Sequence, residues 1–283
     1  MIGQFINSLL LHGFIGRAVL ASVLIGLMAG MVGTFVILRG ISLMGDAISH
    51  AVIPGVAISH VLGISYLFGA SVFGILTAVL IGFISEKSTL KKDSIIGIVF
   101  SSFFALGLVM ISQIRTSSDL MDILFGNVLT VSLSDIRNIV IVLVVTLVFL
   151  LTQYKKLMIT SFDETIAKIY GMKTSVIHYA FMMMFTVVIV VSLEIVGAVL
   201  IVSMIIAPAA IAYLLTNRLH LMMIISSIVG AVGSVIGIFF SFTLNWPSGA
   251  SIVLTLGSLF VITFLFAPKK GMITQHYLLK RRA

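Results

Sequence analysis

Long uninterrupted apolar runs recur along this chain, and they constrain its fold more than any other feature of the sequence. A helix that rises about 1.5 Å per residue needs about 20 apolar residues to cross a bilayer core roughly 30 Å thick. The runs reach that length without the alternation of apolar and polar residues that a membrane β-barrel shows. With 60% hydrophobic and 9% charged residues among 283, the chain is predicted to be an all-α polytopic membrane protein.

The apolar runs predict eight to nine transmembrane helices within a single transmembrane domain that occupies residues 1–283. The boundary near Glu194 is weak, because apolar sequence continues almost straight through it, and eight spans result if the chain does not turn there. Residues 1–13 are expected to form a short amphipathic lead-in, and they lack the features of a removable signal peptide. The nine predicted spans cover residues 14–38, 43–62, 66–85, 93–112, 136–153, 176–193, 196–215, 221–244 and 250–267.

The positions of the basic residues predict the orientation in the membrane. With nine spans and the N-terminus outside, all but three of the 17 lysines and arginines lie in cytoplasmic segments, the exceptions being Arg17, Arg115 and Arg137. Cytoplasmic segments of membrane proteins are enriched in these residues, so the C-terminus and its basic tail, residues 268–283, are predicted to be cytoplasmic. With eight spans instead of nine, the N-terminus would lie inside, on the same side as the C-terminus. Topology explains the net charge of +8, and no nucleic-acid partner is expected.

Asp46 and His50 form an ionisable pair inside the apolar segment 43–62. Ionisable groups at membrane depth are costly, so they usually face a polar path and serve a function. Residues four positions apart project from the same face of a helix, so this carboxylate and this imidazole can reach one ligand. Oxygen and nitrogen donors together suit a divalent metal ion. The sequence therefore predicts a transient metal site at these two residues.

The polar residues of these spans also have purely structural interpretations. Either Asp46 or Ser42 could cap the helix N-terminus, although capping does not explain the histidine. A histidine alone, such as His50, would more often be a hydrogen-bonded interior residue. His60 lies nearly opposite His50 on a straight helix, and Glu194 lies near a predicted outer turn, so neither is expected to be a ligand.

Glycines and prolines in the predicted spans indicate how the helices pack. Gly26/Gly30 and Gly233/Gly237 have the G-x-x-x-G spacing that permits close contact between membrane helices, and we expect that contact within the subunit. Pro54 and Pro208 are expected to kink their helices, although proline is common in membrane spans.

Two connections between spans are long enough to form structure of their own. Residues 113–135, predicted to lie outside, contain Asp119, Asp122 and Asp135 around an apolar stretch, a pattern that indicates a short helix at the outer surface. Residues 154–175 are predicted to lie in the cytoplasm and form the second connection.

The cytoplasmic connection 154–175 has the signals of a short amphipathic helix. Ser161 or Asp163 provides a candidate cap and Gly171 a stop signal. Such a helix suits docking into a groove on a partner, and it equally suits an ordinary solvated connection. The spacing alone favours neither interpretation.

Four segments of the sequence resemble the permease subunits of ABC importers for manganese, zinc and iron. Residues 38–55 read LRGISLMGDAISHAVIPG and contain both Asp46 and His50. The resemblance runs over nearly the whole chain and is closest to the manganese permeases of Gram-positive bacteria, although zinc permeases also carry an Asp-x-x-x-His pair here. The other three segments are residues 97–107, 160–171 and 196–210.

This resemblance implies a metal-importer ABC permease fold in the plasma membrane of a bacterium. It implies a homodimer with two cytoplasmic ATPase subunits and an extracellular metal-binding lipoprotein that delivers Mn²⁺, or alternatively Zn²⁺ or Fe²⁺. The ion would pass Asp46 and His50, and a two-fold dimer would supply two carboxylates and two imidazoles. No stably bound cofactor is expected.

The resemblance also assigns the cytoplasmic segment to the coupling helix that docks on the ATPase. The sequence Glu164-Thr165-Ile166 departs from the Glu-Ala-Ala pattern of other importer families, so the individual contact residues are less certain than the role. The residues that match the coupling segment are Ser161, Phe162, Asp163, Glu164, Ala167 and Gly171.

The sequence contains no catalytic motif and no cysteine. It has no G-x-x-x-x-G-K-[ST] phosphate-binding loop, so ATP hydrolysis is assigned to a partner and the chain is not predicted to be an enzyme. The 15 methionines are scattered, which favours packing or lipid contact over copper ligation. Two alternatives stay open: a self-contained transporter that couples metal movement to protons, and a vitamin or siderophore permease that would not need the Asp/His pair.

Overall fold

The structure, a computed structural model, describes residues 13–113, 130–268 and 271–272. These residues form eleven α-helices. The helices are α1 (Gly13–Leu38), α2 (Ser42–Ala51), α3 (Ile53–Leu62), α4 (Tyr66–Lys87), α5 (Lys92–Ser112), α6 (Leu133–Phe162), α7 (Glu164–Ile169), α8 (Thr174–Val196), α9 (Ala198–Leu215), α10 (Leu219–Leu244) and α11 (Ser248–Phe266). The predicted lead-in, Asp119 and Asp122 of the outer connection, and most of the basic tail lie outside the described residues.

Seven of these helices are long and apolar enough to cross a membrane, which confirms a helical multi-pass protein. They are α1, α4, α5, α6, α8, α10 and α11. Two further apolar regions are shorter: α2 and α3 have ten residues each, and α9 contributes the stretch Leu200–Leu215. The count of eight to nine spans and the cytoplasmic C-terminus stay predictions.

The segment 43–62, predicted as one continuous span, forms two helices. Only Val52 separates α2 from α3, and its dihedral angles remain helical (φ −77°, ψ −14°), so the break is a kink and not a loop. Pro54 accounts for it, because proline has no N–H to donate to the carbonyl four residues earlier and its ring crowds that carbonyl. The carbonyl in question belongs to His50, so the kink lies directly beside the ionisable pair.

The helix that contains the fifth predicted span, residues 136–153, continues beyond that span. α6 continues to Phe162, so the predicted cytoplasmic segment 154–175 begins inside this helix, and the short helix α7 follows after Asp163. The polar run that starts at Gln153 marks a change in polarity, whereas a helix ends where its backbone groups find other partners. That change occurs at Asp163.

The helix is interrupted close to the weak boundary near Glu194. α8 ends at Val196 and α9 begins at Ala198. Between them Gly197 has φ 81° and ψ 164°, a conformation that is essentially restricted to glycine. The uninterrupted apolarity of the sequence hides this break, because the interruption is in backbone conformation and not in polarity.

The chain divides into two compact units. The first unit contains Met1–Leu38, Asn127–Val140 and Ser203–Ala283, and the second contains Arg39–Gly126 and Ile141–Val202. In the first unit α1 and α10 have the most extensive helix packing. A Cβ atom placed on Gly26 would lie 2.6 Å from the carbonyl carbon and oxygen of Gly230. The predicted glycine spacing therefore serves packing within the subunit.

The second unit encloses α2 on most of its circumference. α2 packs against α4, α5 and α8, and Met44, Ile48 and Ala51 on its packed side are fully buried. Apolar residues at helical spacing thus fix the rotation of α2 about its axis. That rotation determines where its two ionisable side chains lie.

Candidate functional site

The open face of α2 brings Asp46 and His50 together. His50 Nε2 lies 3.5 Å from Asp46 Oδ1, and the side chains are 22% exposed for the histidine and 50% exposed for the aspartate. The helix has no side-chain cap at its N-terminus, so Asp46 does not serve as the cap that was one structural interpretation. The Asp46 carboxylate and the His50 Nε2 atom therefore lie on the same open face of α2.

The separation of the two polar atoms suits a shared metal ion. An ion about 2.1 Å from both Asp46 Oδ1 and His50 Nε2, a usual ligand distance, would bond them at an angle of roughly 110°, given the 3.5 Å between them. That angle is close to tetrahedral. One carboxylate oxygen and one imidazole nitrogen form a donor set that divalent first-row metals accept.

Two aromatic rings of α5 form the wall beside His50. The imidazole centroid lies 5.8 Å from the ring centroid of Phe100 and 5.6 Å from that of Phe104. The His50 Nδ1 atom is buried and has no hydrogen-bond partner in the part of the chain that the structure describes. Buried polar atoms usually have partners, so the imidazole is held by ring packing and retains unused polar capacity.

Within the described part of the chain, the pair is not joined by a third ligand. Among residues 13–113, 130–268 and 271–272, no three side chains of the His, Cys, Asp and Glu types lie close enough to hold a metal ion together. His60 instead forms a 2.8 Å hydrogen bond through Nδ1 to the Tyr66 hydroxyl, and Glu194 is exposed. One chain therefore offers two ligands for an ion.

The second candidate region is the turn between α6 and α8. Asp163 caps α7, because its Oδ1 atom accepts hydrogen bonds from the backbone N–H groups of Thr165 at 2.8 Å and Ile166 at 3.0 Å. Of the two candidate caps, Asp163 therefore has this role. The helix ends before Gly171, whose φ is 71°, as the stop signal predicts.

The segment from Phe162 to Tyr170 presents apolar side chains outward. Ala167 is fully buried, whereas Ile169 is 79% and Tyr170 74% exposed, and Phe162 and Ile166 are also exposed. Exposed apolar groups clustered on a short helix are typical of protein contact surfaces. Ala167 anchors the helix to its own chain, and Ile169 and Tyr170, which the sequence match did not include, offer the larger contact surface.

A polar cavity of about 400 Å³ lies beside α7 in the second unit. Burial lowers the pKa of the Arg39 guanidinium to about 10, against an opposing effect of Glu164, so Arg39 stays charged at neutral pH. A hydrogen bond from Lys168 lowers the pKa of Glu164. The charged lining residues are Arg39, Glu86, Lys87, Lys92, Glu164 and Lys168.

Three residues that contribute to these sites were not predicted from the sequence. Phe100 and Phe104 lie in the matched segment 97–107, but nothing in their spacing showed that they would face His50. Arg39 was interpreted only as one of the cytoplasmic charges, although it lies three residues before the start of α2. Its contacts depend on side chains about 120 residues away, for which the sequence contains no local signal.

The chain is similar to known proteins over nearly its full length. The model of the ABC 3 transport family matches residues 11–267. The manganese transport system membrane protein MntC of Listeria innocua is 48% identical over 269 residues, which are 95% of this chain and 96% of that protein. The manganese import system permease protein ScaB of Streptococcus parasanguinis is 46% identical over 270 residues, with 95% and 96% covered.

A solved structure is similar as well. The structure of PsaBC from Streptococcus pneumoniae in complex with Fab superimposes with a TM-score of 0.88 at 46% sequence identity. The match covers 99% of this chain and 100% of the matched chain. The helical arrangement described above is therefore shared with an experimentally determined structure.

Proposed function

This chain belongs to the ABC 3 transport family, and we propose that it is the membrane-spanning permease subunit of an ATP-driven manganese importer. Its apolar helices and its relatives make it a multi-pass protein of the bacterial plasma membrane. The observation that carries the proposal is the Asp46–His50 pair, in which two metal-ligating atoms lie 3.5 Å apart on the open face of α2. The relatives named as manganese permeases support the choice of ion.

The proposed working unit is a homodimer. Each chain supplies one carboxylate and one imidazole, and the described residues of the chain provide no third metal ligand nearby. A two-fold axis that passes close to the pair would duplicate both donors and give an ion four protein ligands. Water would complete a loose coordination shell, which suits an ion that must leave again.

Manganese is the proposed ion, and the donor set alone does not select it. Carboxylate and imidazole ligands also accept Zn²⁺ and Fe²⁺, and affinity generally rises from Mn²⁺ to Zn²⁺ at a given site. Zinc and iron are not favoured, because the relatives described above carry manganese in their names. Selectivity would then reside in the delivery protein or in the shape of the dimeric path.

The proposed partners act at opposite faces of the membrane. At the cytoplasmic face, α7 and the exposed Ile169 and Tyr170 would dock on an ATPase subunit, one for each permease chain. At the outer face, an extracellular metal-binding lipoprotein would deliver the ion near residues 113–135 and the turn Asn245–Ser248. In this orientation the C-terminus is cytoplasmic, as the distribution of basic residues predicts.

Manganese accumulation in cells tests the proposal. Variants Asp46→Ala and His50→Ala should insert into the membrane at the wild-type level and lose essentially all manganese uptake, because each change removes two of the four proposed ligands from a dimer. His60→Gln is the matched control, since His60 is hydrogen-bonded to Tyr66 and lies outside the pair; it should retain uptake. Normal accumulation in the Asp46→Ala, His50→Ala double variant would overturn the proposal.

The energy source needs a separate measurement. Proteoliposomes that contain the permease and its ATPase, with the delivery protein and Mn²⁺ outside and ATP inside, where the ATPase lies, should take up Mn²⁺. Uptake by the permease alone under a proton gradient would instead support the self-contained transporter.

A further inference from the structure

Arg39 links the coupling segment to the helix that carries the metal pair. It lies in the connection between α1 and α2, three residues before α2 begins at Ser42. Asp46 and His50 follow on the same ten-residue helix. Only a short connection and part of a single helix therefore lie between Arg39 and the pair.

The guanidinium of Arg39 binds the end of α6 at two points. Its Nε donates to Ser161 Oγ at 3.0 Å, and its Nη2 donates to Thr160 Oγ1 at 2.9 Å. Each hydroxyl donates its own hydrogen to a backbone carbonyl of α6, at 2.6 Å for Ser161 and 2.8 Å for Thr160. Because a hydroxyl has one hydrogen, both oxygens are left to accept from Arg39.

The same guanidinium also contacts α8 and is attracted to α7. Its Cζ atom lies 4.7 Å from the centroid of the fully buried Phe181 ring, a cation–π distance. Glu164, the first residue of α7, attracts the guanidinium electrostatically. Arg39 therefore connects the helices α6, α7 and α8 to the start of α2.

We propose that Arg39 is a positioning residue that transmits movement of the coupling helix α7 to α2 and its metal pair. This inference rests on the proposed importer function. Only Asp163 separates α6 from α7, so an ATPase that displaces α7 also displaces Thr160 and Ser161. The planar guanidinium, with two donors in fixed geometry, transfers that displacement to residue 39, whereas a lysine ammonium would be a flexible point charge.

The test uses the assembled transporter, permease with its ATPase and its delivery protein, in proteoliposomes, and measures Mn²⁺ taken up per ATP hydrolysed. Arg39→Lys should lower this ratio about tenfold, because a charged hydrogen-bonded contact is lost. The variant Thr160→Val, Ser161→Ala, which removes the two acceptors, should lower it to a similar extent. Combining all three changes should cause little further loss, because one contact is removed from both sides.

The control is Arg218→Lys, the same substitution at an exposed position of the other unit, and it should leave the ratio unchanged. A wild-type ratio in Arg39→Lys would overturn the proposal, as would multiplied losses in the triple variant. A purely structural role would lower the amount of assembled transporter and leave its ratio intact, which would also overturn it. Absence of ATP-dependent uptake in the wild type would instead contradict the importer function.

Discussion

Each of the two units, considered by itself, contains closely packed backbones, and the second unit adds the hydrogen bonds of a charged side chain. In the first unit, α1 and α10 approach so closely at Gly26 and Gly230 that no side chain fits between their backbones. In the second unit, Arg39 reaches two hydroxyl groups at the end of α6 through a long side chain. Close backbone packing also occurs in the second unit, between Gly55 of α3 and Gly69 of α4, so the difference is the charged side chain of Arg39 and its long-range hydrogen bonds.

We interpret the α1–α10 contact as structural support and the polar contacts of the second unit as part of the transport mechanism. Close backbone packing is specific to one arrangement, because a small displacement forfeits many van der Waals contacts at once. Hydrogen bonds from a long side chain can persist or re-form after a displacement of the groups that accept them. We therefore expect substitutions in the α1–α10 contact to affect folding, and substitutions in the second unit's polar contacts to affect transport.

The largest effect on stability is expected at the α1–α10 contact. Gly26→Ala places a methyl group against the backbone of Gly230 and should destabilise the protein by about 1–3 kcal/mol or more. Gly257→Ala in α11 is the matched control, because a Cβ there meets nothing within 4 Å. Thermal unfolding in detergent measures both variants. Equal melting temperatures for the two would show that the close contact is unimportant.

A smaller effect, confined to transport, is expected at the cap of α7. Asp163→Ala removes an acceptor that satisfies two backbone N–H groups and should weaken the helix by about 1 kcal/mol. That loss corresponds to roughly a fivefold change in the population of the formed helix, so Mn²⁺ uptake per assembled transporter should fall several-fold. Asp163→Asn, which also caps well, should restore most of the uptake. Equal uptake by the alanine and asparagine variants would show that capping does not matter.

The smallest effect is expected at the exposed pair Glu164–Lys168, whose charged atoms lie 2.9 Å apart. Lys168→Gln should change stability by only about 0.3–0.5 kcal/mol. Because the hydrogen bond from Lys168 lowers the pKa of Glu164, its contribution is present at neutral pH and is lost as the pH falls through that lowered pKa. Melting temperatures at neutral pH and at a pH below that lowered pKa measure this. A larger loss in Lys168→Gln at neutral pH would indicate that the pair has a further role.

The sequence predicts the parts of the fold that depend on local chemistry. Asp46 and His50 were found because an i, i+4 spacing inside apolar sequence already specifies a shared face. The cap at Asp163 and the stop at Gly171 follow from backbone hydrogen-bonding rules within a few residues. The transmembrane character follows from the length of the apolar runs, and seven long apolar helices confirm it.

The features that escaped prediction depend on conformation or on distant contacts. Pro54 predicted a kink, but the division of the segment 43–62 into two helices at Val52 was not predicted, because apolarity does not record it. The continuation of α6 beyond residue 153 was not predicted either, because polarity changes before the helix stops. The contacts of Arg39 with Thr160 and Ser161 form only when the chain has folded.

The central claim is that one ion is shared between two copies of the Asp46–His50 pair. Equilibrium dialysis of the complete transporter in nanodiscs, without ATP and with graded Mn²⁺, measures how many ions each dimer binds. We predict one Mn²⁺ per two permease chains, with this binding lost in Asp46→Ala and in His50→Ala. One Mn²⁺ bound by every chain, or binding that both variants retain, would contradict the shared site.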